Sequence, residues 1–218
     1  YRAPMASDTI PARRERAELC ELFLEVGPDE PTLCGDWTTR DLAAHLVVRE
    51  RRPDAAIGII ISKAAGYTDK VQAGVADTEW TDLVDTVRSG PPIWSPTKIS
   101  AVDKLANTVE FFVHLEDVRR AQPTWEPRTL DDDLTDTLYK VLGTMAKRLV
   151  KGSSVGIVLE PNDDHEPIVA KDAEPSVTVR GAVGELVMFV YGRQAHSKVE
   201  LFGDDASVAA VNAAEFGI

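Results

Sequence analysis

One short segment combines metal-ligating residue types with a run of apolar side chains. The sequence TVEFFVHLEDVRRA, residues 108–121, places Glu110 four residues before His114 and Asp117 three residues after it. Residues three or four apart lie on the same side of a helix, so these side chains can converge on one point. The spacing is typical of metal sites built inside helical bundles, and a third ligand must come from another segment.

His45 is the best candidate for that third ligand. In DWTTRDLAAHLVVRER, residues 36–51, it shares a helix face with apolar residues, whereas His165 and His196 lie in polar turns. Two imidazoles and one carboxylate form a three-ligand site with a vacant position, which is how catalytic Zn²⁺ is held. Ni²⁺, Fe²⁺ and Mn²⁺ accept the same donors. The alternative is a hydrogen-bonded polar pair in the bundle interior.

Asp117 and Cys34 flank the candidate ligands. Asp117 can accept the free ring N–H of a ligating histidine and so fix its tautomer; the alternative is a surface salt bridge with Arg119 or Arg120. Cys34 precedes His45 by 11 residues, a separation of about 16 Å if the segment is helical throughout. We therefore expect Cys34 to be a small buried hydrophobic residue and not a ligand.

Arg49 follows His45 by one turn, close to the same face. A guanidinium in that position can bind a substrate carboxylate through two hydrogen bonds. The alternative is an ion pair at the end of the bundle with Glu50 or Asp54.

Charge and composition narrow the class of partner. The 218 residues include 36 acidic and 24 basic ones, a formal net charge of -12, which argues against nucleic acid or an anionic membrane as the main partner. The apolar runs are shorter than the roughly 20 residues that span a bilayer. The two cysteines form no C-x-x-C pair, so we expect reduced thiols. Together with the short apolar runs, this favours a cytoplasmic protein. The acidic charge leaves a small molecule or a protein as the partner.

Helical periodicity dominates the first two thirds of the chain. Apolar spacing predicts helices at 9–26, 38–51, 78–89, 98–121 and 131–150. These helices predict a four- or five-helix bundle over residues 5–151, with residues 1–4 left outside it. On the fourth helix the predicted buried face consists of Val102, Leu105, Val109, Phe112 and Val113.

The pattern changes after Gly152. SVGIVLEP, PIVAKD and SVTVRG are short, rich in β-branched residues and bounded by turn residues, as strands are. GAVGELVMFVYGR is helical in pattern, KVELFGD predicts a further strand and DASVAAVNAAEF a last helix. The fold class is therefore α+β, with a small C-terminal α+β domain over residues 152–218.

The two metal-site segments together resemble a known family. Residues 36–46, DWTTRDLAAHL, joined to residues 110–117, EFFVHLED, are similar to the motifs of the DinB-like metal-binding superfamily. Within it the chain resembles the family of mycothiol-dependent maleylpyruvate isomerases and related thiol-dependent transferases. The resemblance implies that His45, Glu110 and His114 bind a divalent metal, usually zinc, beside Asp117.

The resemblance also covers the tail of the chain. VTVRGAVGELVMFVYGR and VELFGD are similar to the family's smaller C-terminal α/β domain, which has a sterol-carrier-like fold and helps close the active-site cleft. Arg193 matches a Gly-Arg of that family and is implied to line the site. The implied reaction activates a low-molecular-weight thiol such as mycothiol for S-transfer to a small electrophile or for its isomerisation, by a monomer or homodimer.

Two other functions are compatible with the same ligands. A metal-dependent hydrolase needs a further acid or base near the metal, and Glu116 and Asp41 are the nearby candidates. A metal-bound binding or sensing protein without catalysis needs no such group.

Overall fold

The computed structural model describes residues 10–55, 65–92 and 101–217. The chain forms two compact units, the first ending at Trp125 and the second beginning at Glu126. Helices and a small four-stranded sheet make up the described residues, so the α+β class is confirmed.

Helices form the described part of the first unit: α1 (Pro11–Val26), α2 (Thr39–Arg51), α3 (Ala65–Ala76), α4 (Trp80–Ser89) and α5 (Ala101–Arg120). Helix α1 packs on α4 and α5, and α2 packs on α3 and α4. Helix α3 was not predicted, because its glycines and polar residues weaken the apolar periodicity. The core cluster contains Leu19, Cys20, Phe23, Leu42, Ala43, Leu46, Val47, Leu83, Val84, Val87, Phe111, Leu115 and Val118.

The fourth predicted helix is buried over a wider arc than expected. Val109, Phe112 and Val113 are buried as predicted, and Leu105 is half-buried; the side chain of Val102 lies outside the described residues. Phe111 and Leu115 are also buried, in the core cluster. A helix whose apolar surface is this wide has little room for its ionisable residues, which must then find partners inside the protein.

Local signals fix where α2 begins. Thr38 accepts a hydrogen bond from the Asp41 amide, and the Asp41 carboxylate accepts one from the Thr38 amide, which together make a capping box. Asp41 also places a negative charge in the first turn, where the helix dipole favours it. The start of α2 sets the rotational position of every later residue on the helix, including His45.

A half-buried arginine joins four helices of the first unit. Arg16 of α1 forms an ion pair with Glu50 of α2, with Nη1 2.7 Å from Oε2, and donates to the Val87 carbonyl of α4 at 2.7 Å. Its guanidinium carbon lies 4.1 Å from the centre of the Phe111 ring on α5. The side chains of Arg16 and Glu50 are 12% and 3% exposed. A buried charge needs such a complete set of partners.

The second unit combines a sheet with three α-helices among its described residues. Helix α6 (Asp132–Leu149) is followed by β1 (Gly156–Pro161), β2 (Ile168–Lys171), β3 (Ser176–Gly181), α7 (Val183–Val190), a short 3-10 helix (Gln194–His196), β4 (Glu200–Phe202) and α8 (Asp205–Ala213). The strand order is β2-β1-β3-β4, with β1 and β3 parallel and the outer pairs antiparallel. Ile157, Leu159, Val177 and Val179 are buried, as alternation along β1 and β3 requires.

Helix α6 lies in this second unit. It packs on α7 and β2, whereas the predicted bundle over residues 5–151 includes it. Its apolar stripe includes Leu134, Leu138 and Val141, all buried. An amphipathic stripe requires a partner surface without specifying which one, so periodicity alone did not distinguish a bundle from a sheet.

Across residues 10–55, 65–92 and 101–217, no helix combines the length and hydrophobicity needed to cross a bilayer.

The Arg16–Glu50 pair predicts a large stability effect for one conservative change. Glu50→Gln leaves the Arg16 charge without its carboxylate partner in the interior, so we expect the free energy of unfolding to fall by about 3 kcal/mol. Urea denaturation followed by circular dichroism measures it.

The matched control is Glu21→Gln, which breaks the exposed pair in which Arg88 Nη1 lies 2.7 Å from Glu21 Oε1. An exposed pair of this kind contributes about 0.5 kcal/mol. Equal effects of the two changes would contradict a stabilising role specific to the buried pair.

Candidate metal centre

Helices α2 and α5 bring the three predicted ligands together. Glu110 Oε1 lies 3.5 Å from His45 Nε2 and 3.4 Å from His114 Nε2. One ligand atom from each residue lies within 4.8 Å of the others. The i, i+4 spacing on α5 and the rotational position of α2 thus direct the three side chains toward one point.

Aromatic packing orients the two imidazoles. The Trp37 ring lies 5.1 Å from that of His45, and the His45 ring lies 5.5 Å from that of His114 at an interplanar angle of 73°. His45 is buried and His114 is half-buried. The rings are therefore held by packing as well as by hydrogen bonds.

The electrostatic environment shifts the pKa values of the two histidines in opposite directions and lowers the pKa of Glu110. Burial lowers the pKa of His45, so its imidazole is neutral at pH 7. Burial raises the pKa of Glu110, but hydrogen bonds to His114 and His45 outweigh it and hold that pKa well below its usual range. Burial likewise lowers the pKa of His114, yet hydrogen bonds to Asp117, Cys34 and Glu110 raise it well above the ordinary value. In the metal-free protein, His114 therefore holds the proton that an incoming cation must displace.

Asp117 contacts the other nitrogen of His114. Its Oδ2 lies 3.1 Å from Nδ1, and the residue is completely buried. When Nδ1–H donates to this carboxylate, the lone pair of Nε2 points toward Glu110 and His45. Arg119 and Arg120, the alternative partners for Asp117, form ion pairs with Glu116 at 2.8 and 2.7 Å.

Arg49 contacts a candidate ligand. Its Nε lies 3.1 Å from Glu110 Oε1, and its Nη1 donates to Asn107 Oδ1 at 2.8 Å. The ion pairs that we considered as alternatives are made by other arginines. Glu50 pairs with Arg16, and the carboxylate of Asp54 pairs with Arg52.

Cys34 corrects one of our expectations. It is half-buried, with its Sγ 3.0 Å from Asp117 Oδ2 and 3.7 Å from His114 Nδ1. The predicted hydrophobic packing is present, because Cys34 packs against the core cluster, but the prediction missed its polar contacts to Asp117 and His114. The loop that carries Cys34 instead contacts α5, with the Leu33 amide donating to the Asp117 carbonyl at 3.1 Å. No sequence signal links these distant segments.

Three other predicted residues have other contacts. Arg193 lies in the second unit, where its Nη1 donates to the Tyr191 carbonyl at 2.6 Å. Glu116 pairs with Arg119 and Arg120, and the carboxylate of Asp41 caps α2. The two candidate acid-base residues for a hydrolase are thus engaged in structural contacts.

The donor set fits a divalent transition metal. Ligand bonds of about 2.0–2.2 Å in a tetrahedral site place neighbouring donor atoms about 3.3 Å apart. The two nitrogen-to-oxygen distances of 3.5 and 3.4 Å are close to that value. Three donors on two helices leave a position for an exogenous ligand, as catalytic sites do.

Comparison with known proteins identifies the fold. No family model matches the sequence, and no curated relative matches it. Two solved structures do match: a crystal structure of the mycothiol-dependent maleylpyruvate isomerase, with a TM-score of 0.59, and one of a mutant of that isomerase, with a TM-score of 0.61. Each is 14% identical to this chain, and each alignment covers 89% of this chain and 91% of the other. The chain therefore has the fold of the mycothiol-dependent maleylpyruvate isomerase, which confirms at the level of fold the resemblance carried by the two motifs.

Proposed function

We propose that this protein is a metal-dependent enzyme that activates a low-molecular-weight thiol for S-transfer to, or isomerisation of, a small electrophile. The observation that carries the proposal is the convergence of His45, Glu110 and His114 at distances suited to one cation. The fold supports the thiol, since the similar structures are those of an isomerase that depends on mycothiol. Zinc is the proposed metal, with Ni²⁺, Fe²⁺ and Mn²⁺ as alternatives, and mycothiol is the proposed cosubstrate.

Each residue has a distinct part in the proposal. His45, Glu110 and His114 would hold the cation, and Asp117, 3.1 Å from Nδ1 of His114, would accept Nδ1–H so that Nε2 is available for binding. A divalent cation supplies Lewis acidity, which lowers the pKa of a coordinated thiol into the neutral range. His45 is buried and His114 and Glu110 are half-buried, and the reduced access of water would strengthen these interactions.

Arg49 is proposed to orient the electrophile. Its guanidinium is held by Glu110 and by Asn107, so part of the rotamer entropy of the side chain is already lost. A planar donor fixed in this way suits a carboxylate on the substrate. Arg193 is proposed as a second group of the same kind, on the basis of its match to the family's Gly-Arg.

The hydrolase alternative is less well supported than thiol transfer, because Glu116 and Asp41 have structural partners. We propose a cytoplasmic protein with small-molecule partners, acting as a monomer or homodimer. The domain assignment of residues 5–151 and 152–218 remains a proposal beside the two compact units of the structure.

The metal content of the protein should depend on His45. His45→Ala removes one of three ligands, so we expect metal to fall from about one ion per chain to a small fraction, with affinity weakened by more than about 100-fold. Elemental analysis of protein purified without chelator measures it.

His165→Ala is the matched control, since His165 lies in the second unit and is only half-buried. That variant should retain all of its metal. A folded His45→Ala protein with unchanged metal content would refute the proposed ligand set.

A second prediction concerns pH. Because the pKa of His114 is raised, binding displaces a proton from His114 at neutral pH, whereas His45 is neutral and Glu110 is ionised. Metal affinity should therefore fall as the pH is lowered, by about tenfold per pH unit below the pKa of His114.

Asp117→Asn replaces the charged acceptor that most raises this pKa with a neutral amide, so its metal affinity should depend less steeply on pH near neutrality. Competitive titration with a chromophoric chelator from pH 6 to pH 8 measures both slopes. An affinity that does not change with pH in the unaltered protein would contradict the assignment.

A third prediction separates thiol chemistry from the alternatives. Calorimetry on the zinc-loaded protein should show saturable binding of mycothiol with a stoichiometry near one per chain, and none to the metal-free protein. Saturation by the thiol supports transfer or isomerisation. Its absence from fully zinc-loaded protein would leave hydrolysis or metal-dependent sensing instead.

A further inference from the structure

A second cluster of metal-ligating atoms lies on the other side of the His114 ring. Cys34 Sγ lies 3.0 Å from Asp117 Oδ2 and 3.7 Å from His114 Nδ1, and Nδ1 lies 3.1 Å from the same Oδ2. All three donors lie within 4.8 Å of one another. His114 thus belongs to two groups, one at each of its ring nitrogens.

We propose that Cys34, Asp117 and Nδ1 of His114 form a separate subsite for a thiophilic divalent cation such as Cd²⁺. The thiolate is the soft ligand that the first group lacks, and soft ligands select soft cations. The two subsites share one imidazole, so they are alternative positions for a single ion. This inference goes beyond the proposed function, because it concerns cation selection and needs no catalysis.

The separations between donors suit coordination. With the bond lengths of Zn²⁺, about 2.3 Å to sulfur and about 2.0–2.2 Å to nitrogen and oxygen, a tetrahedral site places donors about 3.3–3.5 Å apart, and the larger Cd²⁺ needs slightly more. The observed distances of 3.0, 3.1 and 3.7 Å bracket that range. Shifts of a few tenths of an ångström in side-chain position are enough to complete the site.

The loop that carries Cys34 is already ordered. The Cys34 amide donates to Thr32 Oγ1 at 3.1 Å, and the Trp37 amide donates to the Cys34 carbonyl at 3.3 Å. The Leu33 amide donates to the Asp117 carbonyl, which joins the loop to α5. His114 and Asp117 are three residues apart on that helix. The three ligands are thus held by two elements hydrogen-bonded to each other, so that little ordering is needed on binding.

Charge also favours this subsite for a soft cation. A thiolate and the Asp117 carboxylate supply two negative charges, which balance a divalent ion in a buried setting. The first group supplies only the Glu110 carboxylate, and Arg49 lies 3.1 Å from it. A hard cation such as Mn²⁺, which prefers nitrogen and oxygen, gains little from sulfur and stays in the first group.

The tautomer of His114 makes the two positions exclusive. With an ion at Nε2, the proton stays on Nδ1 and is donated to Asp117, as the 3.1 Å contact allows. With an ion at Nδ1, the proton resides on Nε2 and is donated to Glu110 Oε1, 3.4 Å away. Binding at the second position releases two protons to solvent, the Cys34 thiol proton and the Nδ1 proton of cationic His114, and no electron transfer is involved.

Titration of the metal-free protein with Cd²⁺ tests the proposal. A thiolate-to-cadmium charge-transfer band should grow in the ultraviolet and saturate near one ion per chain. His45→Ala should keep the band, because it alters only the first group. Cys34→Ser should abolish it, while Cys20→Ala should keep it, since Cys20 is fully buried in the core with its pKa raised to about 11 by burial.

Mn²⁺, a hard cation, should bind in the first group instead, and its electron paramagnetic resonance signal measures its affinity. Its affinity should be within about threefold of the unaltered value in Cys34→Ser and fall by more than about 100-fold in His45→Ala. A band that survives in Cys34→Ser, a band lost in folded His45→Ala, or simultaneous binding of one Cd²⁺ and one Mn²⁺ would overturn the proposal. If the proposed function is wrong instead, the affinity for Mn²⁺ should be the same in His45→Ala as in the unaltered protein.

Discussion

The structure of the first unit depends on how it compensates ionisable groups that lie between packed helices. Helix α5 is buried over a wide arc, yet it carries Glu110, His114 and Asp117. Each of these groups is placed against a partner of complementary chemistry, because an uncompensated buried charge would cost several kcal/mol. The result is a continuous polar path through an otherwise apolar interior, from Arg49 to Cys34.

The same rule operates at a distance from the site. The buried Glu50 pairs with the half-buried Arg16, and the Arg16 guanidinium also lies over the Phe111 ring. Phe111 adjoins Glu110 in sequence and lies in the apolar core, while Glu110 faces His45. The contacts of Phe111 with the core and of Glu110 with His45 thus fix the rotation of α5 about its axis. The apolar packing and the polar site require the same orientation of the helix.

Much of the site was predictable from the sequence, because its main elements are periodic. Glu110 and His114 are one turn apart, and His45 lies on a helix face marked by Leu42 and Leu46, so helix geometry alone placed all three toward the interior. The strands after Gly152 were also evident, since short β-branched runs bounded by turn residues have few other structures.

What the sequence could not show are contacts between segments far apart in the chain. Cys34 and Asp117 are brought together by a loop whose path depends on backbone hydrogen bonds, and no spacing rule encodes them. Helix α6 has a clear apolar stripe, but a stripe is equally suited to a helix or to a sheet. Helix α3 has two glycines that mask its pattern.

The loop before α2 has a consequence for how the chain tolerates changes in length. Pro31 and Thr38 form an isolated antiparallel β-bridge at its base, and Thr38 is also the N-cap of α2. A single residue inserted between them would move the sulfur away from α5 and, if it displaced the cap, rotate α2 by about 100°. The segment therefore behaves as a fixed spacer, in which exchanges of side chain are far better accommodated than insertions or deletions.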